Sequence, residues 1–186
     1  MDPFEIIKKY YDPASVAYTF LVEHGKAVAA KSLVIANNLG HLNPDTAFIE
    51  EAALLHDIGI CMTDEPGLGC HGLHPYICHG YLGRELLEKE GLFRHALVCE
   101  RHVGAGVGID DIELHALPLP KRDMLPLSFE EKIICFADKF FSKRKGSLSI
   151  EKSTEDVRRE MLKYGQTQLR RFDEMYDLLV NNPFQK

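Results

Sequence analysis

The sequence lacks any stretch that is both uncharged and apolar enough to cross a bilayer, so no membrane span is expected. It contains no C-x-x-C pair, and its cysteines form an odd set of five: Cys61, Cys70, Cys78, Cys99 and Cys135. That pattern fits neither a disulfide framework nor a structural zinc knuckle, and it reads as reduced thiols. The opening residues Met1-Asp2-Pro3-Phe4-Glu5 have no basic start, apolar middle or small-residue cleavage site, so a cytoplasmic location is expected. Positive charge is short as well, with 22 Lys plus Arg against 28 Asp plus Glu and a net charge of −6. This sign argues against a protein that coats double-stranded nucleic acid along a basic face. Convincing runs of alternating apolar and polar β-branched residues are missing too, which excludes a sheet-based fold and leaves an all-α one. What remains is a chain of 186 residues, 45% hydrophobic and 27% charged, the balance of one folded domain, with nine histidines as its unusual feature.

The apolar spacing predicts a long first helix over 14–39, stopped by Gly40, with Ala17, Phe20, Leu21, Val28 and Ile35 on one face. A second helix is predicted from Asn43-Pro44 to Gly59. Residues 60–75 lack period and read as a loop, followed by helices over 76–89 and 92–102. Residues 104–127 read as a long connection of the kind that walls a pocket. Ser128 with Glu131 forms a capping box that opens a helix running to Phe141. A helical tail follows over 150–181, interrupted near Gly165. The expected organisation is an N-terminal segment 1–13, a main domain 14–145, and a tail 146–186 packed on the same domain.

Five of these helices place an ionisable residue where the pattern asks for an apolar one: His24, His56 with Asp57 beside it, His79, His102 and Asp138. An unpaired buried carboxylate costs several kcal/mol unless a cation neutralises it. Two aspartates and four histidines therefore want a shared positive charge. Imidazole nitrogen with carboxylate oxygen suits a divalent transition metal, with Fe or Mn favoured, Ni, Co or Zn also possible, and structural zinc disfavoured for want of thiolate. Any one of these residues alone could be an ordinary hydrogen-bonded core group. The joint pattern is what points to a metal.

The series His24, His56-Asp57, His79, His102 and Asp138 resembles the HD-domain superfamily of metal-dependent phosphohydrolases, and His56-Asp57-Ile58-Gly59 matches its HDIG variant letter for letter. The resemblance covers 14–145 and implies an HD-type helical bundle with a C-terminal helical extension. It also implies that His24, His56, Asp57 and Asp138 hold a first metal, while His79, His102 and a bridging Asp57 hold a second, as in the small stand-alone binuclear members. A mononuclear centre, with His79 and His102 as acid, base or phosphate ligand, is the alternative. Ile60 and Val103 stand where HD-GYP proteins have a lysine and a paired histidine, and no G-Y-P is present, which argues against cyclic di-nucleotide hydrolysis. The implied activity is cleavage of a phosphoester or phosphoanhydride in a nucleotide-like small molecule by a metal-activated hydroxide, with Asp57 at the catalytic centre. Lys139 and Arg144 are the candidates to bind the nonreacting phosphate oxygens, with Arg101 and Arg122 behind them. A metal- or nucleotide-binding sensor without turnover, and a di-iron oxygenase on the same fold, use the same ligands and stay open.

Other features are weaker. The glycines of 104–108 follow a helix rather than a strand and read as a flexible connection, not a phosphate-cradling loop. His71, His74, His95 and His115 are not expected among the ligands. In the tail, Val157, Met161, Tyr164, Phe172, Met175 and Leu179 follow a 3-4 spacing broken by Gln168, read as core packing with a homodimer seam as the alternative.

Overall fold

The computed structural model describes residues 1–143, 148 and 150–181. Among them the fold is all-α apart from one very short ribbon. The helices are α1 Pro3–Tyr10, α2 Val16–Asn38, α3 Thr46–Leu55, α4 His79–Lys89, α5 Phe93–Arg101, α6 Ile109–Leu114, α7 Phe129–Asp138, α8 Thr154–Lys163 and α9 Gln166–Leu179. No helix of the described residues is long and apolar enough to cross a membrane.

Side-chain caps decide where several helices begin. Ser15 accepts from the Tyr18 amide to open α2, Ser153 accepts from the Asp156 amide to open α8, and Ser128 accepts from the Glu131 amide to open α7. The capping box at α7 is only half formed. The Glu131 carboxylate turns away to accept from the Leu127 amide at 2.7 Å and from Arg101, which ties α7 to α5. The second predicted helix is shorter at both ends than its sequence pattern. Pro44 lacks an amide proton, and Asp45 is the residue that accepts from Phe48. The helix ends at Leu55, and the chain continues through a 3-10 turn, Ile58–Met62.

The two stretches read as loop or connection, and the N-terminal segment, hold regular elements. The segment before residue 14 holds α1, whose Ile7 is fully buried, and Tyr11 behind it donates its hydroxyl to the Ile58 carbonyl. Within 60–75, β1 Asp64–Glu65 pairs antiparallel with β2 Cys70–His71, two residues a side being too few to show a period. Within 104–127 lies α6.

The core has two main parts, beside a small third cluster of Val107, Ile112 and Met124 under the 104–127 segment. Around Phe136, the second half of α2, α3, α7, α8 and α9 bury Leu39, Ile49, Ile133, Phe172 and Met175 together. Phe136 stacks on Phe172 with centroids 5.2 Å apart, and each such ring contributes about 1.5–3 kcal/mol by leaving water. Val157, Met161, Phe172, Met175 and Leu179 are buried within the chain's own core, whereas Tyr164 is exposed. The apparent defect Gln168 is buried, accepting from the Ala105 amide and donating to the Gly106 carbonyl, so it pins the start of the 104–127 segment to α9. The second part gathers α1, the first half of α2 and the inner faces of α4 and α5 around Leu21, Leu55, Ile58, Leu87 and Cys99.

Candidate metal centre

The six residues singled out from the sequence converge on one buried cluster. His24 lies in the middle of α2, and the other five lie at helix ends: His56-Asp57 just after α3, His79 at the start of α4, His102 just after α5, and Asp138 as the last residue of α7. All six are buried. At the C-terminal ends of α3 and α5 the last carbonyls lack intrahelical partners and are free to accept from side chains, and the 3-10 turn before α4 offers His79 the Tyr76 carbonyl. The Nδ1–H groups of His56, His79 and His102 donate to the carbonyls three residues back, Ala53 at 2.6 Å, Tyr76 at 2.7 Å and Cys99 at 2.8 Å. Each imidazole is thereby locked with Nε2 facing the common centre.

Gly59 and Gly83 allow this convergence. A Cβ on Gly59 would stand 2.2 Å from the His79 carbonyl oxygen and 2.4 Å from the Gly83 nitrogen, so the turn after Asp57 seats directly on α4 only because both residues lack side chains.

The Asp57 carboxylate divides the cluster. Its Oδ2 lies 3.5 Å from His24 Nε2 and 3.4 Å from His56 Nε2, while its Oδ1 lies 3.3 Å from His79 Nε2 and 3.2 Å from His102 Nε2. Asp138 Oδ1 joins the first half, 2.9 Å from His24 Nε2 and 3.4 Å from His56 Nε2. The donor atoms of His24, His56 and Asp138 form one compact group, and those of His56, Asp57 and His102 another, each within 4.8 Å. In the second half, His79 Nε2 and His102 Nε2 are 3.1 Å apart with both Nδ1 protons spent on carbonyls. Two lone pairs so disposed repel unless a cation lies between them. Two imidazole nitrogens each about 2.0–2.1 Å from one ion and at right angles are about 2.9 Å apart, so the pair fits a shared divalent ion. His24 Nδ1 and His56 Nε2 have no hydrogen-bond partner among the described residues, a further sign of a centre built for a ligand other than protein.

Burial, helped by the Lys143 charge, pushes His79 down to about 3 and, against the pull of Asp57, pushes His102 down to about 4, leaving both rings neutral and able to ligate. Burial opposes charge on His56, but Asp57 and Asp138 together outweigh it and lift the ring to about 9. Burial likewise acts against both carboxylates and is overcome, for Asp57 by Lys143 and His56, for Asp138 by Lys139 and Lys143, so both stay well below the usual carboxylate range.

Two lysines meet these carboxylates. Lys139, expected at substrate phosphate, has its buried ammonium 2.7 Å from Asp138 Oδ2 and donates to the His102 carbonyl at 2.9 Å. Lys143 places its ammonium 2.8 Å from Asp57 Oδ1 and 2.7 Å from Oδ2. Sequence alone does not separate Lys143 from its basic neighbours Lys139, Arg144 and Lys145. Its distance from Asp138 is the only signal, and no helical period governs that stretch. Arg144 and the expected boundary at 145–146 lie outside the described residues. Arg101 is engaged with Glu131, and Arg122 with the buried Glu100, which also takes Arg84, so both arginines brace the fold. His71, His74 and His95 lie apart from the cluster, His95 beside Glu51, whereas His115 lines the cleft that opens from the centre. That cleft has a volume of about 1380 Å³ and runs past Tyr76, Lys139 and Lys143 towards Arg159 and Lys163 of α8.

Among known proteins, the family model described as HD domain matches residues 21–142. A protein of Methanocaldococcus jannaschii named only as uncharacterised is 37% identical over 121 residues, 63% of this chain and 64% of its own length. Two proteins named tRNA (cytidine(56)-2'-O)-methyltransferase are also similar. That of Thermoplasma volcanium is 31% identical over 78% of this chain and 38% of its own length, and that of Picrophilus torridus 35% identical over 53% and 25%. This chain therefore spans less than two thirds of each of these relatives. No solved structure matches the chain. The matched span runs from the helix that carries His24 to just beyond Asp138, through every residue of the convergent cluster, and on that basis the chain belongs to the HD domain family.

Proposed function

We propose that this chain hydrolyses a phosphoester or phosphoanhydride in a nucleotide-like small molecule, with two divalent transition-metal ions, Fe or Mn, as its cofactor. The HD domain superfamily is one of metal-dependent phosphohydrolases. The observation that carries the binuclear reading is the division of Asp57, one oxygen towards His24 and His56 and the other towards His79 and His102. His24, His56, Asp57 and Asp138 would hold one ion, and His79, His102 and Asp57 the other. Paired divalent ions supply a lowered water pKa and neutralise charge on phosphoryl oxygens during in-line displacement.

The chain's own residues do the rest. The three carbonyls behind His56, His79 and His102 hold the rings in one tautomer and orientation. Lys139 occupies Asp138 Oδ2 and leaves Oδ1 to face His24 and His56. Lys143 carries the positive charge at the floor of the cleft, and Arg144, next in sequence, is assigned to substrate phosphate with it. The net charge of −6 confines attraction for anions to this neighbourhood and favours a small substrate over duplex nucleic acid. The two relatives named for tRNA methylation make RNA-derived nucleotides a natural part of the substrate panel.

The test is a screen of the metal-loaded protein against phosphorylated metabolites, with Asp57→Ala alongside. Turnover in the wild type is expected to vanish in Asp57→Ala together with bound metal. Equal metal content and equal hydrolysis in the two proteins would refute the assignment.

A further inference from the structure

Tyr76 is the one cleft-lining residue whose buried hydroxyl proton meets no acceptor among the described residues, its oxygen being turned to the Lys143 ammonium. Its ring is held against His79, with centroids 4.6 Å apart, and its backbone carbonyl accepts from His79 Nδ1, so neither ring nor backbone is free to turn the hydroxyl elsewhere. Buried hydroxyl protons nearly always find an acceptor, and one without it asks what supplies it. Lys143 stands beside it, its ammonium 5.7 Å from the Tyr76 centroid. An ammonium has only protons to offer and cannot accept the tyrosine O–H. The nearby carboxylate Asp57 is engaged with Lys143 and the histidines. Two donors thus border one end of the cleft with no acceptor for the hydroxyl, an arrangement that suits an anion with several acceptor oxygens.

We propose that Tyr76 and Lys143 form a phosphoryl subsite beside Asp57, donating hydrogen bonds to nonreacting oxygens of the substrate. This deepens the hydrolase reading and rests on it. Both groups act by contact with substrate, Tyr76 through its hydroxyl and Lys143 through its ammonium, and neither needs to change its protonation.

The experiment is calorimetric titration of inorganic phosphate into the metal-loaded full chain, comparing wild type, Tyr76→Phe, Lys143→Met and Lys143→Arg, with metal content and melting temperature measured for each. Tyr76→Phe keeps the ring and the carbonyl that orients His79, so metal content and melting temperature should stay at wild-type values while the phosphate Kd rises about tenfold. Lys143→Met should weaken phosphate at least as much, and Lys143→Arg should restore part of the loss. Phosphate binding by Tyr76→Phe with the wild-type Kd overturns the subsite, as does a metal-loaded wild type that binds no phosphate. A wild type that binds phosphate in a Tyr76-dependent way yet turns over no phosphorylated compound leaves the subsite standing and refutes the hydrolase reading instead.

Discussion

Replacing Gly59 by alanine would place a methyl carbon where the backbone of α4 already stands. The added Cβ lies 2.2 Å from the His79 carbonyl oxygen, 2.4 Å from the Gly83 nitrogen and 2.8 Å from the Gly83 Cα. Carbon and oxygen in favourable contact are about 3.3–3.6 Å apart, so α4 would have to retreat by about 1 Å over its first turn. All three atoms are backbone, and no side chain can rotate to make room. Overpacking a close-packed interior typically costs 1–3 kcal/mol, and a clash with rigid backbone belongs at the upper end, about 3 kcal/mol. For a chain of this size each kcal/mol lowers the melting temperature by roughly 2–4 °C, which gives a loss of roughly 6–12 °C. The retreat would also carry His79, the first residue of α4, away from His102 and from Asp57 Oδ1, so metal uptake should fall with stability. Scanning calorimetry and metal analysis would measure both, with Gly40→Ala as control because a Cβ there meets nothing within 4 Å. Gly59→Ala melting with the wild type and keeping its full metal content would show that the seating of this turn on α4 does not position the cluster.

Lys139→Met should weaken metal binding by about 10–100-fold, measured by chelator competition, because Asp138 loses the ammonium on Oδ2 and the His102 carbonyl loses its donor. Recovery in Lys139→Arg is expected, and an affinity equal to wild type in Lys139→Met would count against the positioning role. The metal-stripped protein should be most stable near pH 6.5. On the acid side, His79 and His102 fold with pKa values of about 3 and 4, below their ordinary 6.5. The unfolded chain then binds more protons than the folded one, and stability falls as pH drops below about 6.5. Asp57 and Asp138, held low in the folded state, add to that loss once pH falls below about 4. His56 acts in the opposite direction: raised to about 9, its contribution is complete below about 6.5 and is lost as pH climbs through 9. Urea titrations at acid, neutral and alkaline pH would show this maximum, and a flat profile on the acid side would contradict the burial of neutral His79 and His102. Metal affinity should strengthen as pH rises towards 9, because the His56 proton has to leave before Nε2 can bind a cation.

The helical character and the six inward ionisable residues were readable because both follow from period. A side chain three or four places from Phe20, Leu21 and Val28 shares their face, as His24 does, whatever the rest of the chain is doing. The ends of elements were less readable. Asp45 rather than Asn43 caps α3, and Glu131 prefers the Leu127 amide and Arg101 to closing its capping box, because competing partners arrive from elsewhere in the fold. Gln168 broke an apolar pattern and looked like a defect, yet it is the partner of two backbone groups more than sixty residues away.

What the sequence determined by itself was which residue types face inward and hence that charge would have to be neutralised in the interior, since periodicity and the cost of burying carboxylates are local properties. Only the tertiary structure decided how those residues meet: that Asp57 presents one oxygen to each pair of histidines, that Lys139 is spent on Asp138, and that Lys143 is the lysine placed at Asp57. These relations depend on the relative placement of α2, α3, α4, α5 and α7 to within an ångström or so, fixed by close contacts such as Gly59 against Gly83. No spacing along one chain encodes a distance between two helices; packing sets it.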